Sequence, residues 1–226
     1  MSMSAEAEHE QRTAAEEHHG ELLLALLLLQ SRDIASQIAR GLPYVIDNAP
    51  IRQALLDAGY AGAQIIADNA VTPKEIVDVL KTSGYIEEAA DVASNQMRDT
   101  TAKRIEAAIE AIREPDVTPT DREKAKAVKA ELDNIAPSRA PNAAGNMVVD
   151  GAEGLKDRLV NQGTKTWVNM GDKRVRLTHR AAGGQTVQAD GFFIVGGAML
   201  RHPRDPAAPL KETARCRCVA RYSREW

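Results

Sequence analysis

The chain changes character near residue 136, and that change limits what it can fold into. Residues 21–135 are rich in strong helix formers, whereas residues 136–226 hold ten of the 15 glycines and most of the β-branched alternation. A 3.6-residue apolar repeat on one side and short alternating runs between Gly or Pro turns on the other call for different packing. The prediction is an α+β fold, a helical N-terminal region followed by a small mixed α/β C-terminal domain. The boundaries read as a flexible leader over 1–20, helices over 21–135, a linker over 136–146 and the second domain over 147–226.

Within the first region, Glu21–Arg40 reads as a helix stopped by Gly41-Leu42-Pro43, and Ile51–Ala70 as a second helix with Pro50 near its start. Thr72-Pro73-Lys74-Glu75 has the form of an N-cap, a proline at the first helical position and a capping Glu. Ile86–Arg113 is a long Ala-rich helix stopped by Glu114-Pro115. Thr118-Pro119-Thr120-Asp121 caps another that runs to about Ile135. In the second region the candidate elements are a helix over Gly154–Gln162 and strands over Arg174–His179, Thr186–Ala189, Phe192–Val195 and Arg215–Tyr222.

Several function classes fall away. The longest apolar run, Leu22–Leu29, has eight residues, against about 20 for a membrane span. It is apolar around its whole circumference as a helix and is expected inside a bundle. The acidic stretch before it does not form a secretory signal, and Cys216 and Cys218 make no disulfide framework, so cytoplasmic synthesis without export is expected. His9, His18 and His19, in the polar leader, are expected to face water.

The net charge of −3 hides a split. Residues 1–135 carry 14 Lys/Arg against 24 Asp/Glu, net −10, and residues 136–226 carry 15 against 8, net +7. An acidic half joined to a basic half points to a different partner for each. On a strand over 215–222, Arg215, Arg217 and Arg221 would share the face opposite Cys216, Cys218, Ala220 and Tyr222. Period two likewise sets Arg174 and Arg176 opposite Val175 and Leu177. Such an arginine face suits phosphate oxygens, so Arg174, Arg176, Arg215, Arg217 and Arg221 are the candidate nucleic-acid contacts. The bland alternative is a wet surface with its arginines paired to Asp172, Asp190 and Glu212. Aromatic interleaving is nearly absent, which argues against base stacking and for duplex DNA contacted through its backbone.

The densest pattern runs from Lys165 to Cys218. It comprises Lys165-x-Trp167, then Asp172-x-Arg174-Val175-Arg176-x-x-His179, Gly184-Gln185, Phe193, Pro203-x-Asp205-Pro206 and Cys216-Arg217-Cys218. In order and spacing this resembles the C-terminal domain of phage Mu F-like minor head proteins, the phage head morphogenesis family. The resemblance covers about 55 residues, and the N-terminal helices are compatible with it without a motif of their own. It implies a minor capsid protein of the virion, made in the bacterial cytoplasm and present in few copies inside the head. Its implied partners are the portal protein, the major capsid protein and double-stranded DNA, with no membrane and no enzyme activity. One departure stands: a Thr-Glu pair common in the family before the Trp element is missing from residues 141–163.

The chemistry-bearing residues each have two readings. His179, His202, Cys216 and Cys218 could make a Cys2His2 zinc set. However, one residue between the cysteines is fewer than the usual two to four, which favours small buried thiols and no bound cofactor. His179 oriented by Asp172 would serve as a general base, yet no nucleophile motif accompanies it, so a structural cluster and no catalytic residue is expected. Trp167 reads as a core anchor with its N–H satisfied. The competing class is an enzyme, a metal-dependent nuclease or toxin-like effector built on the two histidines and the cysteines. A third is a virus-derived assembly protein without DNA contact.

Overall fold

A computed structural model describes residues 5–68, 83–159, 163–205, 207–213 and 216–223. Four long helices come first: α1 (Ala5–Ala39), α2 (Ala49–Ala67), α3 (Tyr85–Ala111) and α4 (Asp121–Leu159). Then follow β1 (Thr164–Val168), α5 (Leu177–Ala182), β2 (Thr186–Gln188), β3 (Phe193–Val195), β4 (Ala198–Leu200), α6 (Leu210–Thr213) and β5 (Val219–Ser223). The predicted α+β class, helices first and a small strand-bearing part second, is what the chain adopts. The N-cap and capping Glu expected at Thr72–Glu75 lie outside the described residues.

The helices bury small and aliphatic side chains against one another. Leu23 and Leu27 of α1, Leu55 and Ala63 of α2, Ile86 of α3, and Ala140, Val148 and Leu155 of α4 meet in one core. Ile34, Ile38, Ile105, Val128 and Leu132 form a second cluster toward the far end of the bundle. By length and hydropathy α1 would pass for a membrane span, and so would a core helix of a soluble protein. Leu23 and Leu27 are buried here while Leu22 and Leu29 remain about half exposed, so the Leu run is covered on one side only. At the start of α4, Thr120 and Glu123 exchange hydrogen bonds in a capping box, as Thr118–Asp121 foretold.

Two expected boundaries are overturned. Residues 136–146, expected as a linker, continue α4 through Pro137 and Pro141. Ala136, Ala140 and Ala144 form a buried stripe one turn apart, and tertiary packing of that stripe outweighs the two missing N–H groups. Residues 5–20, expected to be a flexible leader, form the first half of α1. Their inward face is charged, with Glu8, Arg12 and Glu16 at i, i+4 and i+8. Arg12 pairs with Glu8 and Glu153, Lys156 pairs with Glu8, and Glu16 accepts from Arg204 at 3.0 Å. The acidic and basic halves of the chain are therefore partly each other's partners.

The C-terminal part holds a three-stranded antiparallel sheet, β2-β1-β5, and a β3–β4 hairpin. Trp167 lies opposite Ala220 in the register. The strand expected over Arg174–His179 is instead a loop entering α5, because Arg176 adopts extended backbone geometry and the helix starts at Leu177. The pairing of Arg174 and Arg176 on one strand face is lost with it. β5 begins only at Val219, so Cys216–Cys218 forms the lead-in to the strand.

Candidate functional site

The motif residues that lie far apart in sequence meet around Trp167. Its buried indole packs edge-on against His179, 5.5 Å between ring centres, and against Phe193 at 5.3 Å. Lys165, two residues earlier on the same face of β1, is fully buried and reaches Asp157 at 3.1 Å. The Gln185 side chain clasps the backbone of Ile194, accepting from its N–H at 2.7 Å and so tying the Gly-Gln turn to β3. Asp205 accepts from the backbone N–H groups of Arg201 at 2.7 Å and Ala207 at 2.9 Å, which closes the Pro203 turn. Much of the pattern is thus scaffold. Pro206 and Arg215 lie outside the described residues.

The centre is the His179 ring on α5. Its Nδ1 is 3.4 Å from Cys216 Sγ and 3.5 Å from Cys218 Sγ, and both thiols are free and buried. On the other side of the ring, Nε2 is 3.2 Å from Glu212 Oε2, a distance for an ion pair although the angle does not make a good hydrogen bond. Thr178 Oγ1 donates to the same carboxylate oxygen at 2.9 Å and holds it there. The β3–β4 turn makes room for Glu212: a Cβ on Gly196 would stand 2.3 Å from its Oε1, and the positive φ of 58° there also favours glycine.

Electrostatics follow from that packing. The Cys218 S–H, helped by His179, holds the Cys216 thiol well below its ordinary value against the opposing effect of burial. Burial pulls the His179 imidazole down, yet its contacts with Cys216 raise it overall. Cys218 is pushed up by Cys216 and by burial, with the Trp167 indole pulling the other way. The trio can act as a thiolate–imidazolium pair or as three soft donors for a metal. Among the described residues it is the only group of this kind, with all donor atoms within 4.8 Å of one another.

A shallow cleft above these donors is lined by Arg174, Arg176 and Arg217. Three of the five nominated arginines therefore border the His-Cys-Cys group, while Arg221 stands exposed on β5. Arg217 is bridged to Asp172 at 2.7 Å, and that contact holds the Asp172 carboxyl down to about 2. Asp172 therefore orients an arginine and does not orient His179. His202, the fourth expected ligand, is elsewhere: its Nε2 is 3.5 Å from Asp150 Oδ1, and its Nδ1 lies by the Pro203 carbonyl.

The chain matches no family model, and no curated protein or solved structure matches it significantly.

Three functional neighbours escaped the sequence reading. The sequence offers Glu212 only as a partner for arginine, whereas it stands behind the His179 ring. Arg204 donates to the Cys216 carbonyl and is anchored by Glu16, so the first helix braces the cysteine segment. His9, expected to face water, is half-buried and sits in the field of Arg217 and Asp172; burial first, then Arg217, lowers its pKa. The one available signal was the Glu8/Arg12/Glu16 spacing, a helical stripe written in charges.

Proposed function

We propose that this chain is a phage minor head protein of the Mu F-like type, acting in head morphogenesis inside the capsid. It would contact the portal or neighbouring capsid subunits and face packaged DNA with its arginine-lined cleft. The observation that carries the reading is the convergence of Trp167, His179, Phe193, Cys216 and Cys218 on one buried centre. A chance likeness spread over about 55 residues would not be expected to fold onto a single point, whereas a motif selected as a unit would. For DNA, support comes from Arg174, Arg176 and Arg217 sharing one cleft and from Arg221 standing exposed. Arginine forks there match phosphate oxygens and need no base contacts.

The test is quantitative mass spectrometry of purified particles from the source culture. Peptides of this chain are expected at a small fraction of the major capsid protein's abundance and should survive nuclease treatment and salt washing. Their absence from mature and immature particles would overturn the proposal.

A second reading, a metal-dependent nuclease or effector, is favoured by the open cleft beside the soft donors. Hydrolysis of plasmid DNA by the zinc-supplied chain, abolished in His179→Ala, would support it; background rates would remove it.

A further inference from the structure

We propose that His179, Cys216 and Cys218 form a zinc site with three protein ligands, whose fourth position opens into the arginine-lined cleft. This does not rest on the head-protein reading.

The spacing fits the metal. With zinc–sulfur bonds of about 2.3 Å and zinc–nitrogen bonds of about 2.0 Å, the S···N edge of a tetrahedron is about 3.5 Å. The two observed Nδ1···Sγ separations are 3.4 and 3.5 Å. Both sulfurs face the same ring nitrogen. A nitrogen with one lone pair or one hydrogen bonds fully to only one thiol at a time, whereas an ion between them serves all three donors.

The surroundings prepare the ring as a ligand. The charge of Glu212, 3.2 Å from Nε2, favours the imidazole proton on that side and leaves the Nδ1 lone pair aimed at the sulfurs. A carboxylate on the far side of the ring stands behind many zinc ligands, and here a small ring rotation would complete its hydrogen bond. The one-residue cysteine spacing, short for a zinc loop, is met in the lead-in to β5, where Cys216 and Cys218 are both buried against the same ring nitrogen while Arg217 between them is only half-buried and reaches Asp172. Thiolates select zinc over the hard cations magnesium and calcium.

Two thiolates and a neutral imidazole cancel the charge of the ion. Arg217 is balanced by Asp172, and Arg174 and Arg176 then leave the mouth positive, so the open position suits water exchangeable for an oxyanion such as phosphate.

The experiment uses the purified full chain. About one zinc per chain is expected by elemental analysis, with both thiols protected from alkylation until a chelator is added. Reloading with Co2+ should give near-ultraviolet thiolate-to-cobalt charge transfer and the strong visible bands of a tetrahedral ion. Inorganic phosphate should shift those bands. Glu212→Gln should retain the spectrum but weaken zinc binding about 10–100-fold in competition with a chromophoric chelator. Cys216→Ser could unsettle the core, so the unaltered chain decides the matter. Natively folded protein that takes up no cobalt, or takes it up without thiolate charge transfer, overturns the site. A spectrum indifferent to phosphate overturns the open fourth position.

Discussion

Arg12 in the first helix forms a buried ion pair with Glu153 in the fourth, across 141 positions of sequence. Lys156 joins the pair through Glu8 and through Glu153 at 3.3 Å, and also donates to the Ala220 carbonyl on β5 at 3.3 Å. A short charged network thus links the N-terminus, the long helix and the sheet beside the His-Cys-Cys centre.

Removing one partner leaves the others buried without compensation. Arg12→Ala is expected to destabilise the fold by about 3–5 kcal/mol. Deleting residues 1–20 should do at least as much. Urea denaturation checks both, and a truncated chain with an unchanged midpoint would return this segment to the status of a dispensable leader.

The network also sets an acid limit. Burial pushes the Glu153 carboxyl up, but Lys156, Arg12 and His202 outweigh burial and hold it down to about 2, from an ordinary 4.5. A depressed carboxylate adds stability that is complete above the unfolded value and disappears as pH falls through the folded one. The urea midpoint should therefore drop between about pH 4.5 and pH 2. Glu153→Gln should be weaker at neutral pH and flatter across that window; an equally steep fall in the variant would assign the acid limit to other groups.

The helices α2 and α4 touch backbone to backbone. A Cβ on Gly62 would lie 1.8 Å from the Val148 carbonyl oxygen, and one on Gly151 equally close to that of Gly59. In an open helix Gly→Ala stabilises by about 1 kcal/mol. Here Gly62→Ala and Gly151→Ala are each expected to destabilise by about 1–3 kcal/mol or more, because the helices must separate. The sign of the change in thermal midpoint distinguishes the two cases.

Duplex binding should follow the cleft. The double variant Arg174→Ala/Arg176→Ala is expected to weaken binding to any duplex sequence and to lower the slope of log affinity against log salt by about 2. Arg221→Ala tests the exposed face of β5 separately and should change the slope by about 1. Titrations at several salt concentrations that give one slope for all variants would exclude both surfaces.

The division into helices first and a small strand-bearing part second, the helix start at Thr118–Asp121, and the grouping of the cysteines with Ala220 were legible in the sequence, because local propensity and period-two or 3.6-residue patterning decide them, whereas β1 and the helix at Leu177–Ala182 were not. The helix through Pro137 and Pro141 was not, since it exists only because the Ala136/Ala140/Ala144 stripe is packed. Nor was the helical N-terminus, whose inward face is charged and becomes favourable only opposite Glu153, Lys156 and Arg204. The candidate site divides in the same way. His179, Cys216 and Cys218 could be nominated from the sequence alone. The exclusion of His202, the place of Glu212 behind the ring and the gathering of three arginines at one mouth depend on contacts between elements. Sequence alone decides what a segment prefers in isolation; the tertiary fold decides which charges are buried together, because that energy exists only once both partners have left water.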